Sequence, residues 1–293
     1  GKHIGTVNVN ETSKEQTSEM MVGRKVSFNV KKTPFKPGET ILSVRNLSKN
    51  SKHGGKKVLS NISFEIRKGE ILSIAGIDGN GQSELVEALT GLNPSDEGQI
   101  VLRGQEISKR SIRYRNINGL AHIPEDRHKH GLILDYSLEE NLILKRYFTK
   151  KFAPSGFIRT SVARPFANKL ISEFDIRSGE GAKTKARSMS GGNQQKAIIA
   201  REIDTDHNVL IAVQPTRGLD VGAIEYIHNQ LISEREAGKA ILLVSFEIDE
   251  VMDISDRILV MYEGKITADL DPKTTTVNDL GLYMAGSKRS VAE

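Results

Sequence analysis

A chain of 293 residues is long enough for one large domain or two small ones, each with a buried core. With 37% hydrophobic and 27% charged residues and only 8 prolines it is neither disordered nor collagen-like, and its longest apolar runs (209–213, 240–244, 258–262) fall far short of the ~20 residues a bilayer helix needs. The absence of cysteine excludes disulfides and thiolate metal sites. The net charge of +5 is carried by one stretch, since Arg24, Lys25, Lys31, Lys32 and Lys36 stand with no acid between them and the remaining 37 basic and 37 acidic residues cancel.

In chain order, Gly1 opens a polar stretch with no apolar run behind it, so no secretory signal is read there. Residues 1–25 align without a gap on 264–288. Gly1, Lys2, Thr12, Met21, Gly23 and Lys25 match Gly264, Lys265, Thr275, Met284, Gly286 and Lys288. This repeat predicts that 1–25 closes a preceding module, that 39–288 is one full copy, and that the natural polypeptide is a tandem of two similar modules. Between them, 26–38 reads as a solvated basic linker punctuated by Pro34, Pro37 and Gly38, and 289–293 as a tail. A neutral body argues against nucleic acid as a partner.

From Ile41 onward short apolar strands alternate with longer helical stretches, which predicts an α/β fold with a largely parallel core sheet. Strands around 41–44 and 62–66 precede a buried strand at 70–75. The turn Gly76-Ile77-Asp78-Gly79-Asn80-Gly81-Gln82-Ser83 follows, and a helix is expected over 84–92, starting at Glu84 and stopping before Pro94. A strand, a glycine loop and a helix form a phosphate cradle, because glycines allow close approach and the helix N-terminal amides point at an anion. The spacing is that of a P-loop except at the lysine that would reach the β- and γ-phosphates, which is Gln82; Ser83 stands where a hydroxyl would ligate Mg²⁺. A glycine loop ahead of a helix is also an ordinary structural turn, so the later motifs decide between the two.

Those motifs come in order. Ser188-Met189-Ser190-Gly191-Gly192-Asn193-Gln194-Gln195-Lys196 runs into an apolar helix, a strand at 209–213 follows, and then Gln214-Pro215-Thr216-Arg217-Gly218-Leu219-Asp220. On these residues the chain resembles the ATP-binding cassette (ABC) family over about 39–288. Ser190, Gly191, Gly192, Asn193 and Gln194 match its signature motif, Gly218, Leu219 and Asp220 its D-loop, and 240–244 the strand leading to its switch region. The resemblance implies a P-loop NTPase core with a mostly parallel sheet, an antiparallel β subdomain and a helical subdomain over about 132–187. It also implies ATP and Mg²⁺ as cofactors, with Gly76, Asp78, Gly79, Asn80, Gly81, Gln82, Ser83, Glu84 and Glu125 around the nucleotide.

The departures from the family are informative. The P-loop lysine is Gln82, the Walker B aspartate and following glutamate fall on Val213 and Gln214, the switch histidine is Phe246, the Q-loop glutamine is Glu125, and no aromatic near Asn50 offers to stack on adenine. A site without the metal-holding aspartate, the general base and the γ-phosphate histidine is expected to hydrolyse ATP poorly or not at all. The signature is intact. In the family two modules pack head to tail, so Ser190–Gln194 is expected to complete the ATP site of the preceding module. The combinations around Gln82, in Pro124-Glu125-Asp126-Arg127 and in Gln214-Pro215-Thr216 resemble second modules of sugar and nucleoside importers, the last leaning toward nucleosides.

Such a module implies transmembrane permease subunits as partners, an extracytoplasmic solute-binding protein acting through them, and a peripheral place on the cytoplasmic membrane face. Two other readings stand beside it: a non-hydrolysing regulatory nucleotide-binding module, and a soluble ABC protein acting on the ribosome or DNA. The basic residues Lys145, Arg146, Lys150 and Lys151 with Glu139 and Glu140 are read as a solvated helix face, and none of the 7 histidines has metal-ligand spacing.

Overall fold

The computed structural model describes residues 4–8, 12, 13, 16, 20, 32–51, 54 and 56–288. Most of the 1–25 repeat segment, residues 26–31 of the linker and the 289–293 tail lie outside the described residues.

Two sheets sandwich one helix. The first is antiparallel and four-stranded, with β1 (Thr40–Asn50), β2 (Lys57–Arg67), β4 (Glu97–Leu102) and β5 (Gln105–Glu106) in the order β2-β1-β4-β5. The second has six strands, β3 (Ile71–Ala75), β6 (Leu120–Ile123), β7 (Val209–Val213), β8 (Ala240–Val244), β9 (Arg257–Tyr262) and β10 (Lys265–Leu270), in the order β10-β9-β3-β8-β7-β6. All its pairs are parallel except β9 with β10. Strands β3, β7 and β8 are buried at every position, as parallel strands covered on both faces must be. The early strands run to 11 residues each, much longer than the periodicity predicts. The reason lies in Asn46 and Asn61, whose φ of 51° and 55° mark irregular pairing that breaks the apolar alternation while the ladder continues past it.

The P-loop helix α1 (Gln82–Thr90) begins two residues before the predicted start because left-handed Gly81 (φ 105°) caps it, and left-handed Gly91 ends it. Its Leu85 and Leu89 fill the space between Leu42, Val44 and Ile66 of one sheet and Leu72 and Ile74 of the other. On the far face, α5 (Gly191–Ile203) and α6 (Val221–Glu236) lay Ile198, Ile227 and Leu231 against the parallel sheet. The helical subdomain, with α3 (Leu138–Ile143) and α4 (Thr160–Glu173), joins the same core through Leu142, Phe166 and Leu170. α2 (Ile112–Ile117), α7 (Ile248–Ile254) and α8 (Val277–Met284) complete the set of described α-helices. No described helix is long and apolar enough to cross a membrane.

Two expectations are corrected here. Lys145 and Arg146 are not a solvated face: Lys145 bonds the fully buried carboxylate of Glu202, and Arg146 pairs with Asp204 at 2.7 Å while lying over the Phe166 ring. A positive charge at Lys145 is needed inside because Glu202 is there, which no local pattern announces. The end of the linker is also docked, since Lys32 bonds the Ser255 carbonyl and lies 3.6 Å from Asp256, and the Thr33 hydroxyl accepts from Arg235 at 3.1 Å.

Candidate functional site

The loops after β3, β6, β7 and β8 gather at the C-terminal edge of the parallel sheet, where open α/β sheets bind their ligands. The loop after β3 keeps the backbone of a phosphate cradle. Gly79 and Gly81 take positive φ values that side chains resist. Asn80 braces the loop: its Nδ2 donates to the Ile77 carbonyl at 3.1 Å, its Oδ1 accepts from the Glu263 amide at 2.8 Å, and its carbonyl accepts from Gly264 at 2.9 Å. Asp78 and Gly79 are exposed at the tip, and Glu84 stands in the first turn of α1, favourable to the helix dipole.

Gln82 fills this cradle from within. It is 2% exposed, and its Nε2 folds back to donate to the Ile77 carbonyl at 3.3 Å. A Cβ added to Gly76 would sit 2.2 Å from that nitrogen and 2.6 Å from the Met261 carbonyl, so only glycine fits beneath it. Its Oε1 is buried with no hydrogen-bond partner. The loop keeps the main-chain shape of a phosphate cradle, with an amide folded into it where a cation would neutralise a polyphosphate.

A cleft of about 660 Å³ opens beside α1, lined among others by Ser83, His122, Glu125 and Val213. Ser83 is exposed to it, while across from it Val213 presents an isopropyl group. The carboxylates there are committed elsewhere. Glu125 accepts from Arg217 at 2.6 Å, Glu87 accepts from Asn93 at 3.0 Å, and Asp126 accepts from the His128 and Lys129 amides at 2.9 Å, bonds that hold its carboxyl below the usual range. A hard divalent cation needs several oxygen ligands, so the residues present do not fit a resident Mg²⁺ beyond the single hydroxyl of Ser83. Gln214 is buried at φ 46° with an unpartnered Nε2, and Phe246 is half-buried after β8. Neither can take a proton from water.

The signature stands at the head of α5, beside Arg127, His128 and Gly218 on the wall of the same cleft. Ser190 is the N-cap, is exposed, and makes no capping bond of its own. Its hydroxyl instead accepts from Asn193 Nδ2 at 2.9 Å, and Asn193 Oδ1 accepts from the Arg177 amide at 2.8 Å. Gln194 is buried and ties the helix to the Ala186 carbonyl at 3.0 Å. Gly191 and Gly192 leave room for close neighbours, since a Cβ on Gly192 would stand 3.6 Å from Ala223 Cβ and 3.9 Å from Asp220 Oδ2. The D-loop abuts this head: Gly218 takes φ 68°, Leu219 packs into the core, and Asp220 caps α6 by accepting from the Ala223 amide at 2.9 Å.

Sequence reading missed three supports. Arg115, 1% exposed, donates to the carbonyls of Ala88, Leu89, Ser108 and Arg110 at 2.6 to 3.1 Å and so closes the C-terminal end of α1. Glu250 accepts from Thr216 at 2.8 Å and shares a 2.9 Å bond with His228, fixing the segment between β7 and the D-loop. His122 faces the cleft with its imidazole held neutral, driven down to about 3 by burial and by the Lys145 ammonium. Each support joins residues more than twenty positions apart, so no local pattern announces it.

A family model described as "ABC transporter" matches residues 59–217, just over half of the chain. The chain is 47% identical over 292 residues to the guanosine import ATP-binding protein NupO of Bacillus subtilis (strain 168), covering 100% of this chain and 57% of that protein. It is 46% identical over 286 residues to the nucleoside import ATP-binding protein NupA of Lactococcus lactis subsp. cremoris (strain MG1363), covering 98% of this chain and 56% of that protein. The chain thus spans little more than half the length of these relatives. Its fold matches a solved nucleotide-free ATP-binding cassette from an ABC transporter with a TM-score of 0.67 at 23% identity, over 80% of this chain and 92% of that one.

Proposed function

The chain belongs to the ABC transporter family, and from that premise we propose that it is the second ATP-binding module of an import ATPase. In this reading the module's own nucleotide half-site is degenerate, and its signature completes the ATP site of the preceding module. One observation carries the proposal: the chemistry-bearing positions of the own site are the neutral side chains Gln82, Val213, Gln214 and Phe246, while the head of α5 keeps Ser190, Gly191 and Gly192 open to a ligand. The repeat of 1–25 on 264–288, and relatives nearly twice as long, support the tandem layout.

Bound ATP supplies the phosphoryl group whose transfer drives the transporter's cycle. This chain's residues would orient it from the far side. The Ser190 hydroxyl and the first amides of α5 would donate to phosphate oxygens, and the helix dipole would add a positive end. At the own site the main-chain amides around Gly79–Ser83 would hold a polyphosphate without activating water. The helical subdomain with α3 and α4 would receive the permease, placing the module on the cytoplasmic membrane face. The two nucleoside-import relatives favour a nucleoside as the imported solute, reached through a solute-binding protein outside the membrane.

The test is to restore the own site with Gln82→Lys, Val213→Asp, Gln214→Glu and Phe246→His together in the full-length polypeptide. Nucleotide affinity rising about tenfold, with a gain in turnover, supports the assignment of these positions; unchanged affinity and turnover refutes it.

A further inference from the structure

The segment Glu125–His128 straps two motifs together, and one of its residues is left over. At one end Glu125 accepts from Arg217, just ahead of the D-loop, at 2.6 Å. At the other, His128 Nε2 bonds Gln194 Oε1 of the signature at 3.0 Å. Between them Asp126 caps a π-helical turn, Arg127–Gly131, and the Arg127 carbonyl accepts from the Leu132 amide at 2.8 Å. The backbone of Arg127 is thereby held from both sides.

Its side chain has no such commitment. Arg127 is half-buried, and no described group hydrogen-bonds or pairs with its guanidinium, whereas its neighbours Glu125, Asp126 and His128 are each bonded. The guanidinium lies between two glycines of the two motifs. A Cβ on Gly191 would stand 3.6 Å from its Nη1, and one on Gly218 would stand 3.8 Å from its Nη2. Larger residues at 191 and 218 would crowd this flat group, and a lysine in place of Arg127 would offer no fork to spread between them. A partly desolvated guanidinium without a counter-charge is costly. Here it sits beside the first turn of a 13-residue helix, whose dipole is positive at the same end. Two positive sources converge; Asp220 at this head accepts from the Ala223 amide, and among the described residues no carboxylate pairs with the guanidinium.

We propose that Arg127 is a further phosphate-contacting residue of the site that the signature completes. Its guanidinium joins the Ser190 hydroxyl and the α5 amides in holding oxygens of the terminal phosphate of a nucleotide bound by the preceding module. Charge that builds on those oxygens during transfer is then met by a pre-placed cation, while Glu125 and His128 act as positioning residues that aim it. The inference rests on the reading that α5 faces a partner's nucleotide, and its test separates the two.

Arg127→Ala, Arg127→Lys and Gly191→Asp are made in the full-length polypeptide, and kcat and KM for ATP are measured together with the thermal midpoint. The expected result for Arg127→Ala is a fall in kcat of about tenfold or more, an unchanged midpoint, and partial rescue of kcat by millimolar guanidinium ion. Arg127→Lys should stay low, because an ammonium lacks the fork. If Arg127→Ala keeps kcat within about twofold while Gly191→Asp abolishes it, Arg127 is only filler and the signature reading stands. A lowered midpoint without guanidinium rescue also overturns the inference, by making Arg127 structural. If Gly191→Asp leaves turnover unchanged, the signature reading falls, and the inference with it.

Discussion

Helices α1 and α5 both have a glycine at the start, Gly81 as the N-cap of one and Gly191 as the first residue of the other, and both lack a side-chain capping bond, yet their surroundings are opposite. The positions that the family resemblance assigns to the α1 site carry a folded-back amide, an isopropyl, a second amide and a phenyl group, from Gln82, Val213, Gln214 and Phe246. Around the head of α5 stand an exposed hydroxyl and an unpaired guanidinium. The contrast separates two things a phosphate site needs. The shape of the α1 cradle is kept by Gly79, Gly81, the braces of Asn80 and the Arg115 cap, none of which carries the reaction. Charge and proton-transfer groups can thus change while the cradle keeps its form.

The comparison breaks most readily at α5. In the full-length polypeptide Gly191→Asp is expected to cut ATP turnover by about a hundredfold or more, because a carboxylate at that helix head repels phosphate, whereas Phe246→Ala at the own site is expected to change it less than about threefold. Steady-state phosphate release measures both, and equal effects would erase the asymmetry. Next comes Arg115→Ala, which leaves four buried carbonyls short of a donor and a gap under α1. The expected loss is about 3 kcal/mol or more of unfolding free energy in urea, with no direct contact to any motif.

Acid should act through His122 and Glu202. With His122 at about 3 against an ordinary 6.5, the unfolded chain takes a proton that the folded one refuses, so stability is full above about 6.5 and falls as pH drops toward 3. For Glu202 burial would raise the value, but Lys145 and Arg201 outweigh it and hold the carboxyl at about 2 against 4.5, so its contribution is present above 4.5 and fades as pH falls toward 2. Urea midpoints at neutral pH and at about pH 5 should differ, and His122→Gln should shrink that difference; an unchanged difference would remove His122 from the explanation. The smallest effect is expected for Lys32→Ala at the docked end of the linker, about 1 kcal/mol or less by the same measurement.

What could be read in advance followed from locality. The buried five-residue strands, the glycine loop and the motifs from Ser190 and Gln214 are contiguous, so each is legible from its own stretch of chain. The early strands outrun their apolar alternation because Asn46 and Asn61 interrupt it, and the burial of Lys145 has no local sign because its partner Glu202 lies 57 residues away. Arg127 stands within the contiguous Pro124-Glu125-Asp126-Arg127, but its isolation exists only once Glu125, His128, Gly191 and Gly218 are assembled around it. Long-range pairing decides which charged side chain is satisfied and which is left for a ligand.

If this chain completes one catalytic site and carries a second, non-hydrolysing one, only one of the two bound nucleotides is cleaved per cycle. The most direct test is the amount of ADP formed per full-length polypeptide in a single turnover at saturating ATP. The account predicts one ADP per polypeptide, lost with Gly191→Asp and kept with Phe246→Ala. Two ADP per polypeptide would contradict it.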